Sequence, residues 1–188
     1  MKSTRAETPC ILVRSWSGGD KTVNAIPQGL AFHNGRLHLT WCWRDTPVAT
    51  TCHDLCYAYS DNVGKTWLNN AGRVIAEIGV SFVTADSPGV SVWTIPAGTK
   101  YINGGSMTVD ATGRVHVLVR SEDGSPAHFQ RDPNTGRWTR QKASHLGILA
   151  PGPKGRLLIV SDDGLRRTSA NDFGTMKQVA AGQPALFK

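Results

Sequence analysis

The sequence is notable first for what it has little of. No apolar run approaches the roughly 20 residues that a membrane-spanning helix needs. The opening residues Met1–Pro9 lack the apolar core of a signal peptide. No stretch longer than a few residues keeps a 3.6-residue apolar period, so helices are not expected. No run of five or more basic residues forms a tail, and there is no RNP-type motif or zinc-finger spacing. Nucleic acid is therefore not an expected partner, nor is a membrane. Cysteine is limited to Cys10, Cys42, Cys52 and Cys56. The spacing Cys-His-x-x-Cys over Cys52–Cys56 matches no standard four-ligand zinc pattern. Buried thiols or one disulfide is the simpler reading, and no metal ligand set is assigned.

What is present suits one globular domain. The 188 residues are 39% hydrophobic and 19% charged, enough apolar material for a core. Twenty glycines and ten prolines are scattered along the chain, which favours many turns and short strands. The formal net charge of +7 raises the local concentration of anionic partners.

Strand signals repeat. Asn24–Phe32 is an apolar strand candidate entering a His33-Asn34-Gly35 turn, and Asn-Gly between apolar runs is a strong hairpin signal. The return strand Arg36–Arg44 alternates with period two. Leu37, Leu39, Trp41 and Trp43 share one face; His38, Thr40, Cys42 and Arg44 share the other. The order turn-Gly-Arg-apolar-His-apolar recurs at Gly113–Val117, and again at Gly155–Ile159 with Leu158 in place of histidine. Gly35, Gly113 and Gly155 lie 78 and 42 residues apart. The second spacing matches one propeller blade and the first matches two, which predicts a further blade around Ile75 to Trp93.

A second signature is Ser60-x-Asn62-x-Gly64-x-Thr66-Trp67, which fits the Asp-box pattern. In such a turn Ser and Asn side chains accept backbone N–H groups, Gly takes positive φ, and Trp plugs the space between sheets. These residues are expected to be structural. Weaker copies run from Ala127 to Trp138 and from Arg167 to Gly174. The fold expected is all-β: a β-propeller of the sialidase-like, BNR type, with about four blades' worth of antiparallel four-stranded sheets. The chain opens inside a strand pattern and stops at Pro184–Lys188 without an obvious closing strand. Residues 1–188 are thus expected to be a single propeller domain, incomplete, a fragment of a larger propeller.

The run Asn24–Pro27, Gly35–Pro47, His53–Ser60 and Gly64–Trp67 resembles the BNR repeat-containing propeller family, which includes ulvan-type polysaccharide lyases. The resemblance extends more loosely through Asn103, Asp110–His116 and Gly136–Trp138. It implies a secreted, monomeric propeller degrading an acidic, uronate-containing polysaccharide by β-elimination, with no cofactor required. That chemistry needs a group to neutralise the uronate carboxylate, a base for the C5 proton and an acid for the leaving oxygen. On the resemblance His53, His38, Tyr101 and Arg120 are the catalytic candidates, and Arg44, His116 and Asn103 the substrate-binding ones. His38 and His116 recur in one repeat slot, which also suits packing. Two other readings stand beside the lyase. One is a sialidase-like hydrolase, although Ala25-Ile26-Pro27 lacks the arginine of the usual Arg-Ile-Pro signature. The other is a non-catalytic carbohydrate-binding propeller.

Overall fold

The computed structural model describes residues 16–18, 21–101 and 104–181. Cys10 and Asn103 lie outside the described residues. The chain is all-β, with antiparallel pairing throughout and only two one-turn 3-10 helices, Ala49–Thr51 and Pro153–Gly155, among the described residues.

The first sheet is a meander of β1 (Trp16–Gly18), β2 (Lys21–His33), β3 (Arg36–Arg44), β4 (Cys52–Ser60), β5 (Thr66–Leu68) and β6 (Val74–Glu77). The strand β7 (Ser91–Trp93) pairs with the start of β4. The second sheet runs β8 (Ser106–Val109), β9 (Val115–Arg120), β10 (Pro126–Arg131), β11 (Trp138–Lys142). The third runs β12 (Ile148–Pro151), β13 (Arg156–Ser161), β14 (Gly164–Ser169), β15 (Lys177–Ala181). β2 packs beside β8 and β8 beside β12, so the sheets fan out from their first strands. The arrangement is blade-like, a seven-stranded sheet followed by two four-stranded ones.

The β2–β3 hairpin forms where expected. Asn34 (φ 46°) and Gly35 (φ 83°) supply the two left-handed residues of its turn, which matches the strand twist. The Ser60–Trp67 turn is held as its chemistry demands. Ser60 Oγ donates to Asn62 Oδ1 (2.9 Å) and accepts the Gly64 N–H (2.8 Å). Asn62 Oδ1 accepts the Thr66 N–H (2.8 Å), and Trp67 Nε1 donates to the Gly64 carbonyl (2.9 Å).

Both faces of β3 are covered, and this corrects the expected blade count. The His38–Thr40–Cys42 face looks toward the second sheet, where Cys42, Tyr57, Tyr101, Val115, Val117 and Phe129 form one core. The Leu37–Trp43 face packs on Trp67, Ala76, Val83 and Val90. Residues 74–93 therefore make no blade of their own. They add β6 and β7 to the first sheet, and the segment between them lays Val83 and Val90 over two tryptophans that would otherwise face water. A third core, with Leu118, Leu149, Leu157, Ile159 and Phe173, joins the second and third sheets.

Candidate functional site

Strands that alternate in direction bring the end of β3, the start of β4, the approach to β8 and the end of β9 to one end of the sheets. His53, the second residue of β4, lies there opposite Trp43. Its Nδ1 is 3.1 Å from Asp54 Oδ2 and its Nε2 is 3.2 Å from Asp45 Oδ1. An ionised carboxylate only accepts, so both contacts are satisfied together when both ring nitrogens carry protons, and the pair of carboxylates favours the imidazolium form. The hydrogen bond to Asp54 raises the His53 pKa above its usual value; burial acts against this, and Asp45 adds to it. Burial alone would raise the Asp54 pKa, but hydrogen bonds from His53 and the Ile95 N–H (3.1 Å) bring it below the ordinary carboxylate value.

Asp54 adopts φ 56°, a left-handed conformation that a non-glycine residue keeps only when its surroundings fix it. The fixing contacts are visible. The Asp54 N–H donates to the Ile95 carbonyl (3.0 Å), and Tyr101 Oη donates to the Asp54 carbonyl (3.2 Å). The same Tyr101 hydroxyl accepts from Gln28 Nε2 (2.7 Å). Tyr101 is fully buried, and burial pushes its pKa well up. This phenol, a catalytic candidate in the sequence, has no exposure and both hydrogen-bonding capacities engaged, and it braces Asp54.

Two cations share this end. Arg44 closes β3 half-buried, its Nε buried without a partner. Arg120 closes β9 exposed, bonded through Nη1 to the Gly124 carbonyl (3.0 Å). It borders a cleft of about 290 Å³ with Gly105, Leu118 and Gly147. Gly105 is required there. A Cβ at this residue would come within 2.6 Å of Val119 Cγ1, and its φ is 150°. Gln28 borders Gly105 from the first sheet, which links this cleft to Tyr101 and so to Asp54 and His53.

His38 and His116 are not brought to this end. Five residues of β3 separate His38 from Trp43, the partner of His53, or about 17 Å at some 3.3 Å per residue. His38 is 3% exposed, and its Nδ1 meets Tyr57 Oη at 2.8 Å. Burial first, then the cations Arg36 and Arg131, lower its pKa to about 4. His116 is fully buried in the joint between the second and third sheets. Its Nε2 donates to Asp110 Oδ2 (3.1 Å), and its Nδ1 accepts from His128 Nε2 (3.0 Å). His128 Nδ1 accepts from Gln141 Nε2 (3.0 Å), whose other hydrogen goes to the Ala170 carbonyl (2.8 Å). One set of tautomers satisfies every member of this chain. Burial, reinforced by His116, lowers the His128 pKa to about 2. His116, a substrate-binding candidate in the sequence, has neither exposure nor an unpartnered ring nitrogen and joins the two sheets. Sequence reasoning missed Asp45, Gln28, His128, Gln141 and Arg131. The signal available for His128 was its place within the second copy of the strand-turn signature.

Cys42, Cys52 and Cys56 are buried thiols beneath the His53 end. A hydrogen bond with Cys52, then burial, raises the Cys42 pKa; burial does so for Cys56. Among the described residues no group of three or more His, Cys, Asp or Glu side chains is set to hold a metal ion, and no helix is long and apolar enough to cross a membrane.

Fanned antiparallel meanders with tryptophan-plugged polar turns define a BNR-type β protein. The comparisons bear this out. The family model described as BNR repeat-containing family member matches residues 4–146, and the chain belongs to that family. No curated protein matches the chain. Among solved structures it is similar to an ulvan lyase described as a new family of polysaccharide lyase, at 11% identity and a TM-score of 0.59 over 90% of this chain. It is also similar to that lyase bound to a GlcA(1-4)Rha3S unit, at 10% identity and a TM-score of 0.58 over 90% of this chain. The chain spans 45% of the length of each. At these identities the likeness is one of fold.

Proposed function

We propose that the chain is a polysaccharide-lyase-like, carbohydrate-active protein acting on a uronate-containing polysaccharide at the His53 end. The observation that carries this reading is the placement of His53 between Asp45 and Asp54, with Arg44 and Arg120 at the same end of the sheets. In β-elimination a base removes the C5 proton, the electron pair forms the C4–C5 double bond, and the C4–oxygen bond breaks. The leaving oxygen then takes a proton. A histidine kept protonated by two carboxylates suits that last step as general acid, and the arginines suit neutralisation of the uronate carboxylate. The reading requires no cofactor, and a polymeric substrate implies export.

The test is incubation with ulvan, following the absorbance of the unsaturated uronate product. We expect a rise with the wild-type chain and a loss of at least 100-fold in rate with His53→Gln. Binding without any rise would overturn the lyase reading in favour of a non-catalytic carbohydrate-binding protein. That second reading has its own support, since Tyr101, His38 and His116 are all internal. Release of reducing ends without unsaturated product would favour a hydrolase. Against this, none of the three tyrosines bonds a glutamate among the described residues.

A further inference from the structure

The opposite end of the sheets carries a feature that the proposed chemistry leaves unused. Between the first and second sheets, at their turn end, lies a cleft of about 260 Å³ bordered by His33, Arg36, His38, Asp61, Thr112 and Arg131. Arg131, the last residue of β10, is 5% exposed. Its Nε donates to Asn70 Oδ1 (2.7 Å), and its Nη1 reaches the Asp132 carbonyl at 3.4 Å. Both acceptors are neutral. Among the described residues no carboxylate pairs with this guanidinium; the nearest compensation is the Tyr57 ring, 5.2 Å from its centre. A buried charge without a counter-ion is costly, and an anion received beside it would offset that cost.

The surroundings add further polar groups. Arg36 stacks over Tyr59 at 4.0 Å and forks onto Asp61 (2.6 and 2.9 Å), so the one carboxylate of the cleft is already engaged. His33 crosses from the first sheet to the second, where a Cβ on Gly113 would stand 3.6 Å from its ring. His38, bonded to Tyr57 Oη, borders the cleft as well. The cations thus outnumber the acid, and the planar fork of Arg131 is suited to an oxyanion.

We propose that this cleft binds an oxyanion, the sulfate ester or carboxylate of an acidic polysaccharide, on Arg131, Arg36 and His33, apart from the His53 end. The next cleft along, of about 310 Å³, carries Arg114 and Arg137 against one carboxylate, Asp132, which lies 3.7 Å from Arg114. Two such points on one end favour a polymer over a lone ion. The inference shares an acidic polysaccharide with the proposed function and does not depend on catalysis.

The test is a nuclear magnetic resonance titration of the full chain, following the indole N–H of Trp138, which shares Asn70 Oδ1 with Arg131 (3.3 Å). The probes are sodium sulfate, against sodium chloride at equal ionic strength, and a sulfated, uronate-containing oligosaccharide. Saturable shifts are expected with both probes, tighter for the oligosaccharide, and retained in His53→Ala. Arg131→Gln should weaken binding at least tenfold and His33→Ala about threefold. Should Arg131→Gln fail to fold, His33→Ala combined with Arg36→Gln alters only the open side of the cleft and carries the same expectation of tenfold loss. Absence of any sulfate-specific shift in the wild type, or binding unchanged in these variants, would overturn the proposal. Equal affinity for the two probes would overturn its assignment to a polysaccharide. A chain inactive on ulvan but giving these shifts would separate this site from the proposed function.

Discussion

At the scale of single residues, the sequence exposed types and spacings but not burial. Ser60, Asn62, Gly64, Thr66 and Trp67 were legible because one local turn accounts for all five, through contacts no more than four residues apart. His53 was legible as a histidine next to a carboxylate. Its second partner, Asp45, lies eight residues away across the β3–β4 connection and was not. The burial of Tyr101, His38 and His116 was not legible for a common reason: the surfaces that cover them come from strands far off in sequence. The imidazolium at His53 has a consequence for rate. Its pKa is raised by Asp54 and Asp45, so the proton is in place at low pH and lost as pH rises through that raised value. The rate of unsaturated product formation should therefore fall on the alkaline side, with a midpoint above the usual histidine value of about 6.5. Asp45→Asn should move that midpoint down. A pH–rate profile of both forms checks this, and an unmoved midpoint would remove His53 as the acid.

At the scale of elements, the hairpin of β2 and β3 followed from Asn34-Gly35, and β3 spans the residues that its alternation predicted. What failed was the spacing argument. A gap of two blade lengths holds β6, a covering segment and β7, because the tryptophan face of β3 had to be shielded. Periodicity counts residues; it does not reveal which face remains uncovered. Between sheets, Trp138 acts as the connecting plug. It lies edge-on to Tyr57 at 5.5 Å and donates to Asn70, which in turn bonds Arg131 and the Gly136 carbonyl. Trp138→Ala should cost about 3–5 kcal/mol, as large-to-small changes at buried aromatic sites do. Thermal unfolding should show a midpoint lowered by several degrees. A change under 1 kcal/mol would mean that the first and second sheets are joined elsewhere.

At the scale of the whole molecule, stability should decline on mild acidification. His38 and His128 have folded pKa values near 4 and 2, well under the unfolded value of about 6.5, so below pH 6.5 the unfolded chain binds protons that the folded chain refuses. Each contributes a slope of up to about 1.4 kcal/mol per pH unit. His53, with a raised pKa, works in the opposite direction, leaving two against one. Denaturant midpoints should fall between pH 7.5 and 5.5, and His128→Gln should flatten that dependence; a flat wild-type profile would contradict it. The buried ring of His128 has a further use. Its ring lies 3.5 Å from that of Phe173 and within 4° of parallel, one ring from the second sheet and the other from the third. Magnetic shielding by the phenyl ring must displace the imidazole proton resonances far upfield. That displacement exists only while the two sheets are seated together, so a single pair of spectral lines reports in real time whether the last joint of the molecule is shut.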